Sequence, residues 1–138
     1  MNNPRALREV ILEIGHVRLE LITLEGVFSS KRLDPGSLTL LRNLPALPST
    51  GHVLDLGCGY GAVGLAIAAQ SPGLTIWATD EDDLALALCR LNASRLGLTN
   101  VRVARPDRFL PTSASLPSAR IGRCTCAGTI SFQRWSGG

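Results

Sequence analysis

An α/β fold built on a doubly wound parallel sheet, with a β-hairpin ahead of it, is predicted by three features of this sequence. The stretch VLDLGCGYGAVGLA, residues 53–66, passes from an apolar strand through a glycine-rich turn into an apolar helix. Strand-like and helix-like segments then alternate, the order that lays strands parallel with helical crossovers between them. Two apolar, β-branched runs flank Gly15 and His16 near the start, the pattern of a short hairpin. At 138 residues the chain is one domain, because a single core of this size uses most of the apolar residues available.

Each element has its own local reason. Residues 10–14 and 17–23 are the hairpin strands. Asp34-Pro35 starts a helix, since proline fits the first helical position; its apolar face is Leu38, Leu41 and Leu44, and Pro45 and Pro48 end it. Residues 52–56 are the first strand of the parallel sheet, and residues 61–70 are almost entirely small and apolar, as for a helix pressed on a sheet. Ser71-Pro72-Gly73 breaks that helix, and residues 74–79 make the second strand. DEDDLALALCRLNASRLGL follows as a helix with acids in its first turn, Leu84, Leu88 and Leu91 on one face, and Gly97 as its stop. Residues 101–104 are a third strand, completing a mononucleotide-binding half. After Phe109 both helical and alternating periodicity vanish among Ser, Thr, Pro and Gly. The expected organisation is hairpin and lead-in helix over residues 1–50, the strand-helix half over 51–110, and an irregular tail over 111–138.

Composition narrows the class. Apolar residues make up 45% of the chain and aromatics 4%, so Leu, Ala, Val and Ile fill the core. The net charge of +3 rests on arginine, since Lys31 is the only lysine among 14 basic residues; so mild a field would aid a nucleic-acid partner without requiring one. No apolar run reaches the roughly 18 residues of a membrane span, and the first residues lack a cleavable leader pattern, so a cytoplasmic location is expected. Cys58, Cys89, Cys124 and Cys126 fit neither a paired zinc motif nor a dense disulfide framework. Reduced thiols and no metal site are expected.

The glycine turn carries the chemistry. At the carboxyl end of a parallel strand, glycines let the backbone turn tightly and approach a ligand, and the next helix presents unpaired N–H groups. The plainer alternative is a turn that only links strand to helix. Two nucleotide ligands compete for the richer reading. Gly57-x-Gly59-x-x-Ala62 satisfies the loose dinucleotide fingerprint, with Asp80 about 20 residues on, which suits a nicotinamide-dependent oxidoreductase. Asp55 just before the turn argues otherwise. Its carboxylate would repel a pyrophosphate, whereas it can orient the loop or attract the ammonium of S-adenosylmethionine. Asp80, at the tip of the second strand, suits the ribose hydroxyls by bidentate acceptance, or can cap the next helix.

At these residues the sequence resembles the class I S-adenosylmethionine-dependent methyltransferases, and within them the methyltransferase small family that includes ribosomal RNA guanine-N2 methyltransferases. VLDLGCGYG is similar to the first motif, TIWATDEDDLALALCRLN to the second strand with its acid and helix, NVRVARPDRF to the third strand with its acid, and GVFSSKRLDPGSLTLL to the family's lead-in. The resemblance implies that Asp55, Gly57, Cys58, Gly59 and Gly61 shape the methionine side of a cofactor pocket, that Tyr60 flanks it, and that Asp107 accepts the adenine amino group. A simple turn acid is the alternative for Asp107. Phe28, Asp34, Gly36 and Ser37 match the lead-in and would close over the cofactor, although a hairpin exit and capped helix explain them too. Asp82 and Asp83 are read as solvated first-turn acids, Trp77 as core, His16 as a turn residue and His52 as a strand-edge residue.

One part of the family pattern is missing. The Asn-Pro-Pro-aromatic segment, which in the family holds the target amine and stacks its base, has no counterpart between Leu110 and Gly138, where there is no Asn at all. No catalytic residue is therefore assigned. A complete sheet of this class needs about 200 residues, so a truncated or out-of-frame continuation is expected, with an open edge on the third or the first strand of the parallel sheet that favours dimerisation or self-association. The resemblance implies a methyltransferase acting on an exocyclic guanine amine of ribosomal RNA. The alternatives are an inactive cofactor-binding remnant or interaction module, and an NAD-dependent oxidoreductase.

Overall fold

The computed structural model describes residues 6–25, 35–44, 46–109 and 120–122. The chain opens with β1 (Leu7–Ile14) and β2 (Val17–Leu24), paired antiparallel from Ile14 opposite Val17 to Leu7 opposite Leu24. Gly15 supplies the positive φ of 57° in the turn between them. Alternation then decides the faces: Val10, Leu12, Leu19, Leu21 and Thr23 point into the core while Arg18 and Glu20 pair in solvent.

Helix α1 (Pro35–Arg42) leads to β3 (Gly51–Leu56), α2 (Ala62–Gln70), β4 (Leu74–Thr79), α3 (Asp83–Arg95), β5 (Val101–Ala104), the short α4 (Pro106–Phe109) and β6 (Arg120–Gly122). The second sheet is parallel in the order β5-β4-β3-β6. This is a Rossmann-like arrangement with an N-terminal hairpin, as the sequence predicts. Gly97, with φ 68°, stops α3 as expected.

The uniform apolar character of α2 has a two-sided cause. The helix touches β4 on one side and both hairpin strands on the other, so Ala62, Val63, Leu65, Ala66, Ile67 and Ala68 are all buried. A helix without a polar face is one with neighbours all round. Full burial of Leu65 and Ile67 contributes roughly 1.5–3 kcal/mol each, which outweighs the ~1 kcal/mol that Gly64 costs a helix interior relative to alanine.

Three features refine the expectations drawn from the sequence. Residues 111–138 are not irregular throughout, since Arg120–Gly122 forms β6, too short to leave a periodic signal. That strand pairs with β3 at Leu54, Asp55 and Leu56, so of the two strands expected to offer an open edge β3 has a neighbour, while β5 stands at the end of the sheet among the described residues. The buried residues of α3 are Ala85, Leu86, Leu88, Cys89, Asn92 and Ala93, while Leu91 is 45% exposed. Helix α3 packs against β2 and β5; of the predicted leucine face, Leu88 is buried and Leu84 packs against the core as expected, and only Leu91 turns to solvent.

Candidate cofactor site

The candidate site is the loop between β3 and α2, and its shape follows from where its amides go. The N–H groups of Gly57 and Cys58 both donate to the Thr79 carbonyl, at 2.8 and 3.0 Å, which clamps the loop's first turn onto the end of β4. The Gly59 amide donates to Asp80 Oδ2 at 3.0 Å. The Gly61 amide closes back on the Cys58 carbonyl at 3.0 Å. The Gly64 amide, in the first turn of α2, donates to Asp55 Oδ2 at 3.1 Å. Two carboxylates, Asp55 within β3 and Asp80 just past β4, thus hold the start of α2 and the middle of the loop.

The loop has a packed inner side and an open outer side. A Cβ at Gly61 would lie 2.8 Å from Leu65 Cδ1 and 2.9 Å from Cys89 Sγ, at a φ of 103° that disfavours any side chain. On the outer side Gly57 is exposed, and a Cβ at Gly59 would meet nothing within 4 Å. Open space therefore lies against main-chain groups at the N-terminus of a helix, the setting that favours a polar or charged ligand group.

The predicted site residues fall into distinct roles. Asp55 is fully buried, and its Oδ2 anchors the start of α2 through the Gly64 amide. Asp80 is half-buried at the tip of β4; its Oδ1 accepts the Asp82 amide at 2.9 Å while its Oδ2 holds the loop. Each carboxylate oxygen can accept a further hydrogen bond, so Asp80 keeps capacity for a ligand. The cap of α3 is Asp82, which accepts the Leu84 amide at 3.0 Å, so the capping alternative for Asp80 passes to its neighbour. Asp83 is a solvated first-turn acid as expected, its side chain 81% exposed, and it pairs there with Arg105 at 2.7 Å.

Cys58 contributes both its backbone and its thiol to the loop, the Sγ donating to the Gly59 carbonyl at 3.5 Å. Its side chain is buried with Ala78, Leu86 and Cys89, and hydrogen bonding to Cys89, then burial, push the thiol pKa well above its ordinary value. Tyr60 is likewise buried, in the main core cluster with residues of the hairpin and α2. Asp107 lies at the start of α4, with its side chain 74% exposed and 3.8 Å from Arg105 Nε. Arg105 also donates to the Glu81 carbonyl and so ties the exit of β5 to the entry of α3. Beside it an open cleft of about 520 Å³ is lined by Asp83, Leu86, Arg90, Ala104 and Arg105. None of the predicted site residues lines it.

Of the lead-in residues, Phe28 and Asp34 lie outside the described residues, and Gly36 and Ser37 fall in α1 where the backbone alone is described. The cysteines at 124 and 126 also lie outside them. Trp77 donates from Nε1 to His52 Nδ1 at 3.0 Å, which fixes His52 as a structural partner within the sheet. Sequence reading missed Asn92 and Asn100. Both are recognisable only through bonds to distant main chain: Asn92 to Ile22 and Tyr60, Asn100 to Ala68, Ser71 and Leu74.

With this geometry in place, comparison with known proteins decides the family. The methyltransferase small domain model matches residues 18–115. The chain belongs to that family. It is 42% identical over 87 residues to ribosomal RNA small subunit methyltransferase C of Ectopseudomonas mendocina (strain ymp), a match covering 63% of this chain and 26% of the relative. It is 39% identical over 96 residues to YbxB of Bacillus subtilis (strain 168), covering 70% of this chain and 48% of that protein. Among solved structures it is similar to the T. thermophilus 16S rRNA N2 G1207 methyltransferase in complex with AdoMet and guanosine, with a TM-score of 0.64 and 28% identity over 73% of this chain and 28% of that one. This small-domain chain therefore spans between a quarter and a half of the length of these relatives. Among the described residues, no helix is long and apolar enough to cross a membrane.

Proposed function

We propose that this chain forms the S-adenosylmethionine-binding part of a methyltransferase that acts on an exocyclic guanine amine of ribosomal RNA. The observation that carries the reading is the loop held between Asp55 and Asp80, with its outer side open at Gly57 and Gly59. A mononucleotide half with an acid at each of two neighbouring strand tips suits an adenosyl ligand with a cationic amino-acid end better than a pyrophosphate. The relatives named as ribosomal RNA methyltransferases, and the neighbour solved with AdoMet and guanosine, support the same cofactor and substrate class.

In this proposal the main chain of Gly57, Cys58, Gly59 and Gly61 receives the methionine end, flanked by Tyr60, and Asp55 supplies negative charge behind it. Asp80 accepts the ribose hydroxyls, and Asp107 reaches the adenine amino group from the β5 side. When bound, S-adenosylmethionine supplies a methyl group on a positively charged sulfur, already activated toward an amine. The chain's own contribution is positioning: holding the donor so that an incoming amine meets the methyl carbon in line. Self-association through the sheet edge is carried with the proposal, and sedimentation of the purified chain measures it.

The test is incubation of the chain with radiolabelled S-adenosylmethionine and 16S ribosomal RNA, alongside binding measurements. Label recovered on guanine N2 is the expected result for an active enzyme. Binding of S-adenosylhomocysteine without transfer assigns the chain to cofactor binding alone. Binding of NAD in place of S-adenosylhomocysteine overturns the reading.

A further inference from the structure

Asn92 is a polar side chain with no solvent exposure in the last turn of α3, and all of the side chain's hydrogen bonds leave the helix. Its Oδ1 accepts the Ile22 amide at 2.7 Å, and its Nδ2 donates to the Ile22 carbonyl at 2.9 Å and to the Tyr60 carbonyl at 2.8 Å. The partners fix the amide's orientation, since the one donor faces the oxygen and both acceptors face the nitrogen. Toward β2 the side chain behaves as a strand's peptide group would, satisfying both main-chain groups of Ile22. Toward the loop it holds the one carbonyl that lies between Gly59 and Gly61. Burying an amide is unfavourable unless it is fully bonded, so hairpin, α3 and loop are stable only in mutual register.

We propose that Asn92 is a positioning residue that couples the hairpin to the glycine loop and thereby sets the affinity of the site. The connection runs from Ile22 in β2 through Asn92 to the Tyr60 carbonyl, and from the adjacent Gly59 amide to Asp80. It reaches the candidate site without a contact from Asn92 to any residue assigned to the ligand other than the Tyr60 main chain. The affinity part of this inference rests on the cofactor reading above; the coupling itself does not.

The test combines amide hydrogen exchange with calorimetry. In ligand-free wild-type protein, the Ile22 and Gly59 amides are expected to open as one unit with protection factors within tenfold of each other; a larger separation overturns the coupling. In Asn92→Ala both amides are expected to exchange at least tenfold faster relative to the Ile76 amide, which lies in the parallel sheet and donates to the Asn100 carbonyl. Unchanged relative exchange at Gly59 overturns the coupling. The Kd for S-adenosylhomocysteine is expected to rise about tenfold in Asn92→Ala, while Ile67→Val, a core change away from the loop, lowers stability and leaves Kd unchanged. A folded Asn92→Ala with wild-type Kd, or an equal loss in Ile67→Val, overturns the positioning role. If Asn92→Ala does not fold, the wild-type exchange comparison still decides. If wild type binds no S-adenosylhomocysteine, the cofactor reading fails, and the exchange arms decide the coupling alone.

Discussion

The Gly64 amide donates to Asp55 Oδ2 at 3.1 Å across nine residues of sequence, within a fully buried contact that fastens the start of α2 to β3. The approach requires glycine, because a Cβ at position 64 would lie 2.7 Å from the same oxygen. Gly64→Ala is therefore expected to lower stability by roughly 1–3 kcal/mol as an overpacked core change, measured by denaturant unfolding. Asp55→Asn separates the two tasks assigned to Asp55. It retains an acceptor for the Gly64 amide, so its stability loss should be smaller than that of Asp55→Ala, while calorimetry should show weaker S-adenosylhomocysteine binding because the charge is gone.

The Cys58 thiol gives a pH signature. Its folded pKa is raised by the Cys89 hydrogen bond first and by burial second, above an ordinary value of 9.0. A raised folded pKa means that the native state keeps a proton the unfolded chain releases, so this contribution is complete below pH 9.0 and is lost as pH rises beyond it. Chemical denaturation between pH 8 and 10.5 should show stability falling on the alkaline side, with a shallower fall in Cys58→Ala. The native thiol should also resist alkylation at pH 8, as buried neutral thiols do.

Asn100 offers a contrast with the loop residues. Its Nδ2 lies within 3.3 Å of the carbonyls of Ala68, Ser71 and Leu74, where α2 ends and β4 begins, at the opposite end of the sheet from the glycine loop. Asn100→Ala should cost about 1–3 kcal/mol of stability by stranding partly buried carbonyls. Its affinity for S-adenosylhomocysteine should match wild type after correction for the folded fraction.

The parts legible in the sequence are those with short-range signatures. The hairpin shows in its β-branched runs, the strand-turn-helix in its glycines, and the end of α3 in Gly97. The acids at 55 and 80 are also visible, because each stands at a strand tip where a side chain can reach the next loop. Less visible is what crosses the chain. Asn92 meets Ile22 over 70 residues and Tyr60 over 32, and no local periodicity marks it. The same contact explains why Leu91 misled: Leu84, Leu88 and Leu91 satisfy helical spacing, yet α3 is oriented by its bonds to the hairpin. The short β6 carries too few residues for alternation to register.

The most direct measurement of the central claim is a calorimetric titration of S-adenosylhomocysteine into wild type and Asp80→Ala under one set of conditions. The account predicts one saturable site on wild type and at least tenfold weaker binding to a folded Asp80→Ala, because the substitution removes both the proposed ribose acceptor and the anchor of the Gly59 amide. Equal affinity for the two proteins, or binding of NAD to wild type in place of S-adenosylhomocysteine, would contradict it.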